Sequence, residues 1–376
     1  MPVPGPLTGT FVVDMSRVLA GPFCTMLLAD LGARVVKVEP PAGDDARRIG
    51  PFMEGVSAYF ASLNRGKESI ALDLKEAGDR AVFEQLVSRA DVLVENFRPG
   101  VIERLGYGWE TLHARHPRLV VASVSGFGQT GPYAERPAYD VIVQAMGGMM
   151  SLTGPSGGPP SRVGSSLGDI NAGLFAAVGI QAALLERART GAGRRVDVAM
   201  LDCQVAVLEN AIARYRVSGV VPGPLGTRHP SIAPFQALAA SDGFVVVAAG
   251  NDALFEKLCG AVGRSELARE PRFASNDARM ENVEQLAATL EDTLAAEPVA
   301  VWLERLLDAG VPCGPLNDVA QVLEDPQVRA RNMVVRSGGF ELTGNPIKLS
   351  ETDDPTTREP APGLDADRTA LLAEFG

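Results

Sequence analysis

The carboxylate whose neighbours most invite chemistry is Asp169, in the stretch GSSLGDINAG. It stands between Gly168 and a run of small residues, so a bulky substrate can approach it. Amides of the helix predicted to begin there would be at hand to receive a developing oxyanion. A plainer reading competes with this one. Ser166 and Asp169 have the S-x-x-D spacing of a capping box ahead of an apolar helix, which would spend the carboxylate on backbone amides.

Other candidate chemistries are poorly supplied. Gly126, Gly128 and Gly131, in SGFGQTGPYAERPAYD, have the G-x-G-x-x-G spacing of a dinucleotide loop and follow the apolar run RLVVASV. Such a loop belongs in the turn after the first strand, where SRVLAGP stands instead, and Pro132 and Pro137 interrupt the helix that should follow it. Glu39 ends the second strand where a ribose-binding acid would sit, without the loop that would make it one. His113 and His116 lie in a helix-to-strand connection, and His229 lies in a Pro- and Gly-rich linker, so a histidine-based triad finds little support. G-x-S-x-G, H-E-x-x-H and Walker patterns are absent. Cys24, Cys203, Cys259 and Cys313 stand apart with no C-x-x-C pair, which argues against zinc and against a disulfide framework and fits a reducing cytoplasm.

The elements that must position Asp169 read as an α/β chain. TFVVDM, GPFCTMLLADLG and RVVKVEP form a strand, helix, strand unit, and such units build parallel sheets. SIALDL, a helix from about Glu76 to Arg89, DVLVENF, a helix near Val101 to Leu105, and RLVVASVSG continue the pattern. SSLGDINAGLFAAVGIQAALLERARTG predicts a long helix whose small residues permit close packing, and RRVDVAML a further strand running into a helix. The apolar run AGLFAAVGIQAALL is too short to span a bilayer and contains Gln181. From Arg216 to Pro234 the chain is dense in Pro and Gly and reads as a linker. FQALAASDGFVVVAAG then predicts a hairpin turning at Asp242-Gly243, with helices at Asp252 to Gly263, Val283 to Ala296 and Val299 to Gly310. A net charge of −11 argues against a general nucleic-acid or membrane surface, so an anionic ligand must be held by local Arg and Lys. No signal peptide is read in MPVPGPLTGTFVV.

Seven ordered segments resemble the class III CoA-transferases of the formyl-CoA transferase type. They are RVLAGPFCTMLLADLGARVVKVEPP, NRGKESIALDLK, ADVLVENFRPGVIERLG, ASVSGFGQTGPYAERPAYD, GSSLGDINAG, RHPSIAPFQALAASDGFVVVAAGND and VPCGPLNDVAQVLEDPQV. The resemblance implies an α/β fold with a large Rossmann-like parallel-sheet domain built from both chain ends, a smaller α+β domain, and an interlocked homodimer. On that pattern residues 1–215 form the first part of the CoA-binding domain, 216–234 the linker, 235–310 the small domain and 311–376 the return segment.

The resemblance also implies a mechanism. Asp169 would attack a donor thioester to form a mixed anhydride, and CoA thiolate would return to form an aspartyl-CoA thioester and release the donor acid; an acceptor acid reverses the steps. Acyl-CoA and a small carboxylic acid are then the partners, coenzyme A enters as substrate, and no prosthetic group or metal is called for. With an ordinary carboxyl pKa of about 4, Asp169 is expected to be ionised at neutral pH.

CoA contacts implied by the resemblance fall at Val18, Leu19, Leu72, Lys75, Asn96, Phe97 and Arg104. The family has basic residues where this chain has Pro40 and Pro137, and Arg47, Arg48 or Arg98 are candidates to supply the missing charge. An isomerase branch of the same fold, resembling α-methylacyl-CoA racemase, uses a His-Asp pair where this chain has Tyr139-Asp140. A neutral phenol cannot readily remove an α-proton, so the racemase alternative loses its base. Tyr139 is then expected on an active-site wall formed by the Gly126 to Gly131 loop, hydrogen-bonding the acyl group or the reacting carboxylate, with simple packing as the other reading. RHPSIAPFQ with DGFVVVAAGND resembles the branch that takes succinyl-CoA or other dicarboxyl-CoA donors more than the oxalate branch, whose run of lid glycines is reduced here to Gly250-Asn251. Arg17, Arg162 and Arg228 are candidates to face a substrate carboxylate.

Overall fold

FVVD, RVVKVE, VLVE and VVASVS are runs buried on both faces, as parallel strands covered by helices on either side must be. In the computed structural model, which describes residues 4–376, the strands follow in order. They are β1 (Phe11–Asp14), β2 (Arg34–Glu39), a short hairpin of β3 (Phe52–Met53) and β4 (Val56–Ser57), then β5 (Glu68–Ala71), β6 (Val92–Glu95), β7 (Val120–Ser125) and β8 (Arg195–Ala199). Six of them form one sheet in the order β5-β2-β1-β6-β7-β8, every neighbouring pair parallel. Val13 sits at its centre, paired with Val36 on one side and Leu93 on the other. The chain lays strands to one side of β1 as far as β5, then returns to place β6 on the other side. That reversal opens a crevice at the carboxyl ends of β1 and β6.

The chain divides into two compact units, one of residues 4–150, 162–220 and 326–376 and the other of 151–161 and 221–325. In the first, the Leu167–Thr190 helix packs a face of small residues, including Gly168, Ala172, Gly173 and Ala176, into the core beside the Ala20–Asp30 helix. A Cβ at Gly173 would meet the Ala20 carbonyl oxygen at 2.7 Å, so glycine is what allows the approach. With 24 residues this helix is long and apolar enough to cross a membrane, longer than the run read from the sequence. Its small-residue face is instead spent on the core of the α/β unit. The C-terminal return closes the sheet edge, where Asp365 and Asp367 accept the Ala71 and Ser69 amides of β5, each at 2.8 Å. The Arg368–Phe375 helix adds Leu371 and Phe375 to the core, and Phe375 stacks on Phe11.

In the second unit, β9 (Phe235–Ala239) and β10 (Phe244–Ala248) form the hairpin around Asp242-Gly243. Helices Asp252–Ala261, Val283–Leu294 and Val299–Asp308 cover it, the second presenting Leu286, Leu290 and Leu294 at helical spacing. The return expected at residue 311 comes later. Cys313–Pro315 is β11, antiparallel to β10, because an extra strand satisfies an otherwise open edge, and the chain re-enters the first unit at Pro326. Residues 151–161 also belong to the second unit, where the Gly226 amide donates to the Gly154 carbonyl at 2.9 Å.

Candidate active site

The crevice at the strand reversal is a real cleft of about 230 Å³. The turn after β1 supplies Arg17, Val18, Leu19 and Ala20, the turn after β6 supplies Asn96, Phe97, Arg98 and Pro99, and the end of β7 supplies Val124, Ser125 and Gly126. Asp169 and Tyr139 line the same cleft. Open α/β sheets bind ligands at such switch points because loops on either side diverge there and leave a gap.

Asp169 is the third residue of its helix, where a capping box would occupy it. Ser166 is the N-cap but makes no side-chain cap hydrogen bond. The cap comes from elsewhere: the Asp140 carboxylate accepts the Gly168 amide at 2.8 Å. Asp140 is held in turn by Gln144 Nε2 at 3.0 and 2.9 Å and by Arg162 Nε and Nη2 at 3.0 and 2.8 Å. Gly168 is fitted to this arrangement, since a Cβ there would lie 2.6 Å from Val143 Cγ2 and 3.0 Å from Asp140 Oδ1. The Gly-Asp pair therefore has a steric basis: glycine admits the remote cap, and the cap releases the aspartate. No hydrogen bond to the Asp169 carboxylate is made among the described residues.

Electrostatics correct the expectation of a fully ionised nucleophile. Burial raises the Asp169 pKa from the ordinary 3.8 to about 7, the Asp140 charge pushes the same way, and Arg162 offsets part of it. Tyr59, which no motif singled out, is pushed up to about 12 by burial and by the charges of Asp169, Asp44 and Asp140, so it faces this acidic corner as a neutral phenol. Glu95 is also raised, to about 7, chiefly by burial; it accepts the Phe97 amide at 2.7 Å and shapes the turn that carries Asn96 and Phe97.

The sequence-derived contacts divide. Val18, Leu19, Asn96, Phe97 and Arg98 line the cleft, whereas Leu72, Lys75 and Arg104 do not. The Leu72 side chain is enclosed in the core with Val38 and Ile70, because its alternation along the chain from β5 turns it inward. Lys75 and Arg104 are exposed in segments that follow β5 and β6. Arg47 is not free: its guanidinium forks onto Glu39 at 2.6 and 2.7 Å, which also removes Glu39 as a ribose acid. Arg48 bonds Asp45 and the Ala42 carbonyl. Arg162 is committed to Asp140, Ser166 and the Gly164 carbonyl, and Arg228 to Glu284 and Ser156, so neither stands as the substrate-facing arginine. Arg17 remains, stacked 5.7 Å from the Phe97 ring and 3.6 Å from Asp45. Sequence reasoning missed Arg136, which lines the cleft beside Tyr139 and lies over the Tyr133 ring at 3.8 Å. Its position next to Pro137, where a cation was expected, was the available signal.

Of the three glycines of this loop, Gly126 lines the cleft. A Cβ there would come within 2.2 Å of Ala138 Cβ, so the loop folds back directly on the residue before Tyr139. Tyr139 itself is 75% exposed. Among the described residues no group of His, Cys, Asp and Glu converges as a metal site, and none of the four cysteines is paired.

A doubly wound sheet with a switch-point cleft, three arginines along its lining and a carboxylate with no hydrogen bond among the described residues suits an enzyme that binds an anionic ligand there. Residues 7–368 match the family described as CoA-transferase family III. The chain is similar to an acetyl-CoA:oxalate CoA-transferase of Acetobacter aceti, 51% identical over 99% of this chain and 96% of that one. It is similar also to a succinyl-CoA:mesaconate CoA-transferase of Haloarcula hispanica, 42% identical over 99% and 97%. A solved structure of a CAIB/BAIF family protein from Brucella suis superposes with a TM-score of 0.90 at 43% identity, covering 99% of this chain and all of that one. The chain belongs to CoA-transferase family III, and its reaction is the transfer of CoA between an acyl-CoA and a carboxylic acid. The racemase alternative is not favoured: these relatives are transferases, and Asp140, the one acid at the Tyr139-Asp140 pair, is locked by Gln144, Arg162 and the Gly168 amide.

Proposed function

We propose that Asp169 carries CoA from an acyl-CoA donor to a dicarboxylic acid acceptor as a covalent aspartyl-CoA thioester. The carboxylate adds to the donor thioester carbon, CoA thiolate leaves, and an acyl-aspartyl anhydride forms. Thiolate then adds to the aspartyl carbonyl and expels the donor as its carboxylate; the acceptor acid enters by the reverse steps. Charge and protons balance without a general base, because each step exchanges one carboxylate or thiolate for another. The observation that carries this reading is the Asp169 carboxylate left without a partner in the cleft while Asp140 caps its helix. Tyr139 lines the same cleft and would donate a hydrogen bond to the acyl oxygen.

Arg98 and Arg136 line the cleft with no carboxylate partner among the described residues, and Arg17 has only the 3.6 Å contact to Asp45. These guanidiniums supply cations for CoA phosphates or a distal carboxylate, in place of the family's basic residues at positions 40 and 137. Val18, Leu19, Asn96 and Phe97 form the walls against which CoA lies. Oxalate, mesaconate and succinate are all dicarboxylic acids; the acetyl-CoA:oxalate relative is 51% identical to this chain and the succinyl-CoA:mesaconate relative 42%, so the acid class is supported and the expected preference for a dicarboxyl-CoA donor over the oxalate branch is not. Exposed apolar side chains on the outer faces of the helices at 140–146 and 167–190, among them Ile142, Met146, Phe175, Val178 and Leu185, suit a second copy of the chain, in keeping with the interlocked homodimer; light scattering at twice the chain mass checks it. Four unpaired cysteines suit a cytoplasmic setting.

The test is exchange: acetyl-CoA or succinyl-CoA incubated with a panel of mono- and dicarboxylic acids, with new acyl-CoA esters read by mass spectrometry. Transfer to dicarboxylic acids is expected, and Arg136→Gln should raise KM for the CoA ester about tenfold, as loss of one charge-assisted contact does. Transfer to monocarboxylic acids alone would overturn the substrate class.

A further inference from the structure

We propose that the buried Lys37–Asp44 ion pair is a positioning device that holds the Ser16 to Leu19 wall of the cleft in a conformation it would not keep unaided; the proposal rests on this cleft being the site of CoA transfer. Val18 has φ of 65°, in the left-handed region that a β-branched residue strongly disfavours. Such a residue persists only where its surroundings over-determine it. Here they do. Both oxygens of Asp44 accept the Val18 amide, at 3.1 and 3.3 Å, and Asp44 Oδ1 also accepts the Ala46 amide at 2.9 Å. Lys37 Nζ lies 2.9 Å from Asp44 Oδ2 and donates to the Ser16 carbonyl at 2.7 Å, with both side chains fully enclosed.

The residues on either side are tied as tightly. Asp14 accepts the Ser16 amide at 2.9 Å, and Asn96 clamps Arg17 through both its amide, at 2.8 Å, and its carbonyl, at 2.7 Å. Five consecutive backbone groups from the Ser16 amide to the Val18 amide are thus held by side chains. The turn ends in Leu19, whose carbonyl accepts the Phe23 amide at 2.7 Å and so sets where the Ala20–Asp30 helix begins. Val18, Leu19 and Ala20 line the cleft that contains Asp169. Misplacing this wall by a fraction of an ångström would disturb the approach of the thioester to the carboxylate more than the binding of the CoA body.

A double-mutant cycle on the full chain tests this, using Asp44→Asn and Val18→Gly. Glycine reaches positive φ without strain, so it removes the need for the clamp. Asp44→Asn in the native background should lower kcat for CoA exchange about tenfold, with KM for the CoA ester changed less than about twofold. Whatever Val18→Gly costs by itself, adding Asp44→Asn to it should cost less than about threefold. If the uncompensated Lys37 prevents folding, as circular dichroism would reveal, the doubly neutral Lys37→Gln, Asp44→Asn protein takes the place of Asp44→Asn in the cycle. Equal losses in both backgrounds, or a loss confined to KM, would overturn the positioning role while leaving the transfer reading intact; a native chain that exchanges no CoA overturns both.

Discussion

Replacement of Asp169 by alanine is expected to lower kcat for CoA exchange by about ten-thousand-fold, because in the proposed mechanism this residue forms the bond to the acyl carbon and no neighbouring group takes its place. Asp140 is fully engaged by Gln144, Arg162 and the Gly168 amide, and Tyr59, its pKa pushed up to about 12, is a neutral phenol. Binding of CoA should survive, since the walls and the guanidiniums of the cleft are untouched. Hydroxylamine added during turnover should convert Asp169 to its hydroxamate in the native chain and modify nothing in the variant. A variant that still exchanges CoA at a tenth of the native rate would end the assignment.

The second large effect is on pH. With Asp169 at about 7 in the free enzyme, kcat/KM should fall about tenfold for each pH unit below 7, since only the ionised carboxylate is nucleophilic. Asp140→Asn keeps an oxygen for the Gly168 amide but removes a charge that disfavours ionisation, so its acidic limb should move to lower pH. A native limb near pH 4, or a variant limb that does not move, contradicts this. Stability follows with its own sign. A carboxyl raised from 3.8 to about 7 binds more proton when folded than when unfolded between those values, so the chain loses stability as pH rises through that window. The cost is absent below about pH 4 and complete above about pH 7, where it amounts to about 2–4 kcal/mol. Asp169→Ala should therefore unfold at a higher temperature than the native chain at pH 8 and at the same temperature at pH 4, measured by calorimetry.

Much of the scaffold is legible because its signals are local. Doubly buried apolar runs such as RVVKVE predict parallel strands, and the Asp242-Gly243 turn predicts its hairpin; both appear where expected. The β11 strand at Cys313–Pro315 was not legible, since three residues carry no periodicity and pair only because β10 has a free edge. At the site, cleft residues on turns that leave adjacent strands, such as Val18 and Asn96, could be placed from the segments that carry them. Leu72 could not, because which way a side chain faces at a strand end depends on what packs against it.

By itself, then, the amino-acid order determined the sheet, the long small-residue helix and an aspartate at the head of that helix. Only the folded chain decided that the aspartate is free. The S-x-x-D spacing allows a local cap, but a carboxylate 28 residues earlier reaches the Gly168 amide through space and takes the role. The same through-space placement of Asp140, together with burial, lifts the Asp169 pKa and consumes Arg162. Desolvation and charge act over distances in three dimensions, which spacing along the chain does not encode.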